Sequence, residues 1–172
     1  LAAKAWDRTK RPLVLRSADA GALTAAAVAV KGSRSVLCAA SPTAAQELCR
    51  VAKENDHALA LTAPDLDQLV ALATEIKAQG FNDLFLQFPT RSLAEQFQAA
   101  SIARRAALKD NFKPLGYPTL RFVETGNLLD DTIEATNEIT KYGGICVLPS
   151  FDAAQMASLM TLRLNIYTDP QK

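Results

Sequence analysis

Glu124 and Thr125 close one apolar run of this chain, Gln87 and Thr90 follow a second, and Ser150 and Asp152 follow a third. Ser17 with Asp19, Ser41, and Thr62 hold the same position after three more runs. A carboxylate such as Glu124 at a strand end can act as acid, base or polar anchor. Standing alone it reads more simply as a solvated loop residue or as half of a salt bridge to Arg91 or Arg121. Ser41, Thr62 and Ser150 stand where helices should begin, and there a hydroxyl oxygen accepts from orphan backbone N–H groups. The set is rich in hydroxyls and poor in groups that break bonds. His57, the only histidine, precedes its run instead of following it, so no serine gains a base from the same set. Cys38, Cys49 and Cys146 are odd in number and lack C-x-x-C spacing, which predicts structural thiols. Glu124, Thr125, Ser150 and Gln87 are therefore the candidates for contact with a substrate or a neighbouring module. No catalytic and no metal-binding residue is expected. Tyr117 and Tyr167 lie near prolines and are candidates for an interface.

These residues are positioned by one repeated unit: an apolar run, a small or polar break, then an amphipathic helix. The runs fall at 12–17, 35–41, 57–62, 83–88, 119–125 and 144–149. Most are nearly continuous in apolar residues, as expected of strands covered on both faces. Helices are predicted from Pro42, from Pro64-Asp65, over 92–109, over 128–142 and from about 152 to 162. Gly80 suits a left-handed helix end, and Gly143-Gly144 is expected to close the helix before it. Regular alternation of this kind predicts an α/β fold with parallel strands and right-handed crossovers. Two architectures remain open: most of a TIM (β/α)8 barrel, with about six strand-helix units, or an open doubly wound sheet. No G-x-G-x-x-G follows the first strand, and no P-loop motif occurs.

Composition narrows the function classes. Hydrophobic residues make up 49% and charged residues 22%, with a formal net charge of +1. That charge supplies no field for nucleic acid or an anionic membrane. No apolar run approaches the ~20 residues needed to cross a bilayer, and the cysteine usage points to a cytoplasmic protein. Residues 1–6 read as the second half of a helix, and Asp169-Pro170 reads as the exit from a domain. The expectation is a piece of a larger protein: a partial barrel over 1–164, then a linker over 165–172 containing Asn165, Tyr167 and Asp169. Such an open barrel would have to be covered by further chain or by dimerisation.

The last third carries distinctive motifs: Lys-Pro-Leu-Gly-Tyr-Pro-Thr at 113–119, Ile-Thr-Lys-Tyr-Gly-Gly-Ile-Cys-Val-Leu at 139–148, and Arg-Leu-Asn-Ile-Tyr-Thr-Asp-Pro-Gln at 163–171. Their order and spacing resemble the large (gamma) subunit of the corrinoid/iron–sulfur protein of the acetyl-CoA decarbonylase/synthase system. That family has "PLGYP", "KYAGI-V-L" and "R-NIYTDPQ" segments in the same order. Upstream, 11–17 resembles its "PL-LDS" strand, 63–66 its "APDL" junction, and 90–93 with 102–105 the helix after its "D-GTRPL" turn. The resemblance implies the third to eighth strands of the family's TIM barrel. It implies a four-cysteine 4Fe-4S module upstream and a cobalamin (corrinoid) module after Lys172, with no cofactor inside this chain. It further implies a methyl carrier of the reductive acetyl-CoA (Wood–Ljungdahl) pathway. The corrinoid cobalt would accept a methyl group from a methylated pterin through a methyltransferase and pass it to acetyl-CoA synthase. The small subunit of the same protein would be a further partner. The chain departs from the family at Arg16, where an acidic residue is common, and at Gln87-Phe88-Pro89, where Asp and Gly are common. Beside this reading stands a free-standing α/β small-molecule-binding or enzyme domain with its site at the strand C-terminal ends.

Overall fold

The computed structural model describes residues 1–168. Six short strands alternate with helices: β1 (Val14–Arg16), β2 (Val36–Cys38), β3 (Ala58–Thr62), β4 (Leu84–Gln87), β5 (Leu120–Phe122) and β6 (Ile145–Val147). The helices are α1 (Ala2–Thr9), α2 (Ala20–Ala29), α3 (Pro42–Asn55), α4 (Leu66–Ala78), α5 (Leu93–Lys109), α6 (Leu128–Thr140) and α7 (Ala153–Thr168). Strands β1 to β4 form one parallel sheet in chain order, and β5 pairs β6 in parallel. A parallel bridge between Leu86 and Thr119, with Leu86 N donating to Pro118 O at 2.9 Å, joins the two pieces.

The strand order never reverses, whereas a doubly wound sheet must reverse at its switch point. The architecture is thus a singly wound parallel α/β arc, and among the described residues β6 does not pair back to β1. Alternation along the strands separates two cores. Leu37, Leu59, Leu61 and Leu86 face the helices and are fully buried among Leu48, Leu69 and Ile76. Val36, Cys38, Ala60 and Leu120 gather on the other face, with Val14, Phe85, Phe122 and Ile145 packed against them. Residues from β1 to β6 meet on that second face, so the sheet is curved and the face is concave.

Side-chain caps start the helices. Ser41, Asp65, Ser92 and Asn127 accept from the backbone N–H groups of Ala44, Gln68, Glu95 and Asp130. Ser41 is a cap as expected, but Thr62 and Ser150 are not. Asp65 caps α4 instead, and Asp152 accepts from Gln155 N at the start of α7. In both loops the hydroxyl stands too early, because the chain runs on for two or three residues before turning helical.

Two further expectations are corrected, and one helix was not predicted. Helix α2 lacked a readable signal, since Ala, Val and Leu occupy every side of it; Asp19 caps it through Gly21 N. Helix α6 is closed by Tyr142 at φ 63°, not by a glycine. Gly143 and Gly144 instead admit close neighbours: a Cβ on Gly143 would lie 2.4 Å from Glu138 Oε2, and one on Gly144 2.8 Å from Thr119 O. Helix α7 continues to Thr168, past the expected end at about 162, so Asn165 and Tyr167 are helical. Gln155, Leu159, Leu162 and Ile166 recur at helical spacing and carry it past residue 162. Asp169 lies outside the described residues. No helix among the described residues is long and apolar enough to cross a membrane.

Candidate functional site

The C-terminal ends of the strands meet at the rim of the concave face. Glu124 lies two residues beyond Phe122 and shares its side of β5, while Arg121 projects to the helix side. Glu124 therefore pairs with neither Arg121 nor Arg91. Its Oε1 accepts from Arg16 Nη1 at 2.7 Å, across the arc from the end of β1. The Arg16 guanidinium also lies 4.3 Å from the centre of the Phe122 ring. Both members of the pair are about half exposed, at 53% and 57%. Arg121 serves the helix layer, donating to Thr90 Oγ1 at 2.8 Å and to Glu134 Oε2 at 3.2 Å.

The candidates divide. Glu124 and Ser150 line one shallow hollow of about 360 Å³ together with Gly126, Asn127, Asp131 and Pro149. Thr125 is committed to the loop before α6: its N–H and hydroxyl both donate to Asp131 Oδ1, at 2.9 and 2.8 Å. Asp131 is buried, and its counter-charge is the start of α6, where a carboxylate is favoured. Gln87 ends β4 in register with Thr62 and does not line that hollow. Tyr117 stands at the opposite end of the sheet, packed against the helix-side core, and burial pushes its phenol upward. Tyr167 packs against Tyr142 with ring centres 5.3 Å apart and planes tilted by 58°, while Arg104 covers the Tyr142 ring at 3.8 Å. Asn165 is exposed on α7.

The thiols are unsuited to chemistry. Burial pushes Cys38 up to about 12 against the opposing pull of Arg16. Burial, reinforced by Glu138, takes Cys146 to about 12 as well, and burial raises Cys49. A thiol held in its neutral form is a poor nucleophile and a poor metal ligand. His57 is buried, with Nε2 2.9 Å from Ala27 O at the far end of the sheet. Among the described residues no three His, Cys, Asp or Glu side chains are grouped as metal ligands. The donor set present does not fit an iron–sulfur cluster.

One polar feature lacked any sequence signal. Gln96 Nε2 donates to Glu138 Oε1 at 2.6 Å between α5 and α6, both side chains are buried, and Thr119 Oγ1 donates to the same carboxylate at 3.3 Å. A Glu in mid-helix ordinarily faces water, and only packing reveals this one.

Taken together, fold and site define a class: a parallel α/β domain whose strand ends, among the described residues, carry one ion pair, helix caps and loop anchors. The family model described as CO dehydrogenase/acetyl-CoA synthase delta subunit matches residues 2–172. The corrinoid/iron-sulfur protein large subunit of Moorella thermoacetica is 32% identical over 163 residues, covering 95% of this chain and 36% of that protein. The acetyl-CoA decarbonylase/synthase complex subunit gamma of Archaeoglobus fulgidus is 29% identical over 174 residues, covering 94% and 37%. Its counterpart from Methanocaldococcus jannaschii is 27% identical over 189 residues, covering 95% and 38%. This chain belongs to the CO dehydrogenase/acetyl-CoA synthase delta subunit family, and the resemblance read from its motifs holds over nearly its whole length. It spans little more than a third of the length of these relatives.

Proposed function

We propose that this chain is the scaffold barrel of a corrinoid/iron–sulfur methyl-carrier protein, with 1–164 as the barrel and 165–172 leading towards a corrinoid-binding domain. The observation that carries the reading is the 32% identity to a corrinoid/iron-sulfur protein large subunit across 95% of the chain. The strand-end chemistry agrees with a scaffold. Arg16 holds Glu124, Asp131 holds Thr125, and among the described residues no nucleophile is paired with a base. Cobalamin and a 4Fe-4S cluster would be held by parts of the protein other than the residues described, where no group of metal ligands forms and burial raises all three thiols. The partners are then a small subunit, a pterin methyltransferase and acetyl-CoA synthase, and the compartment is the cytoplasm. In this reading Glu124, Ser150 and Gln87 offer polar contacts to a moving module, and Tyr117, Asn165, Tyr167 and Asp169 belong to the junctions between modules.

The test uses the whole gene product, purified without oxygen. Corrinoid and cluster bands in its ultraviolet–visible spectrum, with methyl uptake from a methylated pterin in the presence of the methyltransferase, are expected. Absence of both bands from a folded, full-length protein would overturn the reading. The hollow beside Glu124 and Ser150 favours a second reading, a small-molecule site at the strand ends. Saturable small-ligand binding lost in Glu124→Gln, in a protein lacking corrinoid, would favour it.

A further inference from the structure

Helices α5 and α6 lie side by side on the outside of the arc with a groove of about 530 Å³ between them. Its walls are apolar and unusually open for large side chains: Leu93 is 39% exposed, Phe97 52% and Ile133 42%. One turn earlier on α6, Leu129 is 69% exposed and extends the same stripe. From 129 to 140 the stripe runs ~17 Å along the helix, the length of a short helix or strand and too long for a compact metabolite. At the far end Lys141 Nζ sits 3.5 Å from the centre of the Phe97 ring. Among the described residues it has no carboxylate partner. The groove floor also carries Asn137, a buried side chain whose Nδ2 finds no acceptor. An apolar slot and, at one end, a cation with no carboxylate partner among the described residues define a complementary surface: a large apolar side chain followed by a carboxylate.

We propose that the α5–α6 groove is the docking site for a partner polypeptide, which seats an apolar side chain between Phe97 and Ile133 and a carboxylate on Lys141. This rests on the reading that the protein works as a subunit of a complex. The rim charge selects an acidic partner, and the apolar centre supplies the affinity.

The intact protein is titrated with the small subunit of the corrinoid/iron–sulfur protein, the probe for this surface, by isothermal calorimetry at two salt concentrations. Phe97→Asp is expected to weaken association by about 30-fold or more, as for a central anchor. Ile133→Asp should act in the same direction, and Lys141→Glu should weaken binding several-fold while flattening its salt dependence. Val28→Asp, on the exposed face of α2, should leave affinity unchanged. Phe97 is half exposed, so the variant should fold, and circular dichroism with the thermal midpoint checks this. Unchanged affinity in folded Phe97→Asp and Ile133→Asp overturns the proposal. Self-association abolished by Phe97→Asp overturns it in favour of a second copy. Failure of the unaltered protein to bind the small subunit overturns this proposal together with the reading beneath it, whereas binding that ignores the groove variants overturns this proposal only.

Discussion

Arg16 and Glu124 stand 108 positions apart and meet at 2.7 Å, yet half of each side chain is in water. An exposed pair of this kind contributes only ~0–1 kcal/mol. Glu124→Gln should therefore move the urea midpoint of the intact protein little, and a large loss of stability would show that the pair closes the arc. Glu138 is a contrasting case. It is buried with Gln96, and removing it leaves a buried amide without its acceptor, so Glu138→Ala is expected to cost ~1–3 kcal/mol in chemical denaturation. The thiols predict a pH dependence with a definite sign. Cys38 and Cys146 rise from the usual 9.0 to about 12 in the fold. Below 9 both states carry the proton and the full contribution is present. Between 9 and about 12 the unfolded chain loses protons first, so stability falls with rising pH. Comparing native with Cys38→Ala and Cys146→Ala proteins over that range should show a shallower decline in the variants. Iodoacetamide should label both thiols only after unfolding.

At the scale of elements, most of the helices were readable because their starts are local chemistry. Ser41-Pro42 and Asp65 act within three residues of themselves, and Ser41→Ala should cost ~1 kcal/mol of stability by removing the acceptor for Ala44 N. Helix α2 was unreadable for a physical reason: a run of Ala, Val and Leu has no polar face to set a period. Gly143-Gly144 was legible as special but not for its true role. A Cβ on Gly144 would meet Pro118 Cβ at 2.7 Å and Thr119 O at 2.8 Å, a proline ring and a backbone carbonyl in the segment that leads into β5. Gly144→Ala should destabilise by ~1–3 kcal/mol, seen as a lower denaturation midpoint, because the β5–β6 pair must spread to admit it.

At the scale of the whole molecule, β1 and β6 each have one sheet neighbour among the described residues, and an unpaired strand edge is a template for association. The 172-residue chain by itself is expected to self-associate with rising concentration in sedimentation velocity, and a monodisperse monomer would count against an incomplete barrel. The sequence by itself determined the alternation of strand and helix, most helix starts and, through 113–119, 139–148 and 163–171, the family. Each of these is encoded within a few residues, by period, by a cap or by a contiguous motif. Only the tertiary structure decided that Arg16, not Arg91 or Arg121, holds Glu124, that Glu138 is buried, and that α7 absorbs Asn165 and Tyr167. It also decided that α5 and α6 leave an apolar groove between them. These outcomes depend on how far the sheet curves and which helix faces meet, and curvature sums contributions from the whole chain.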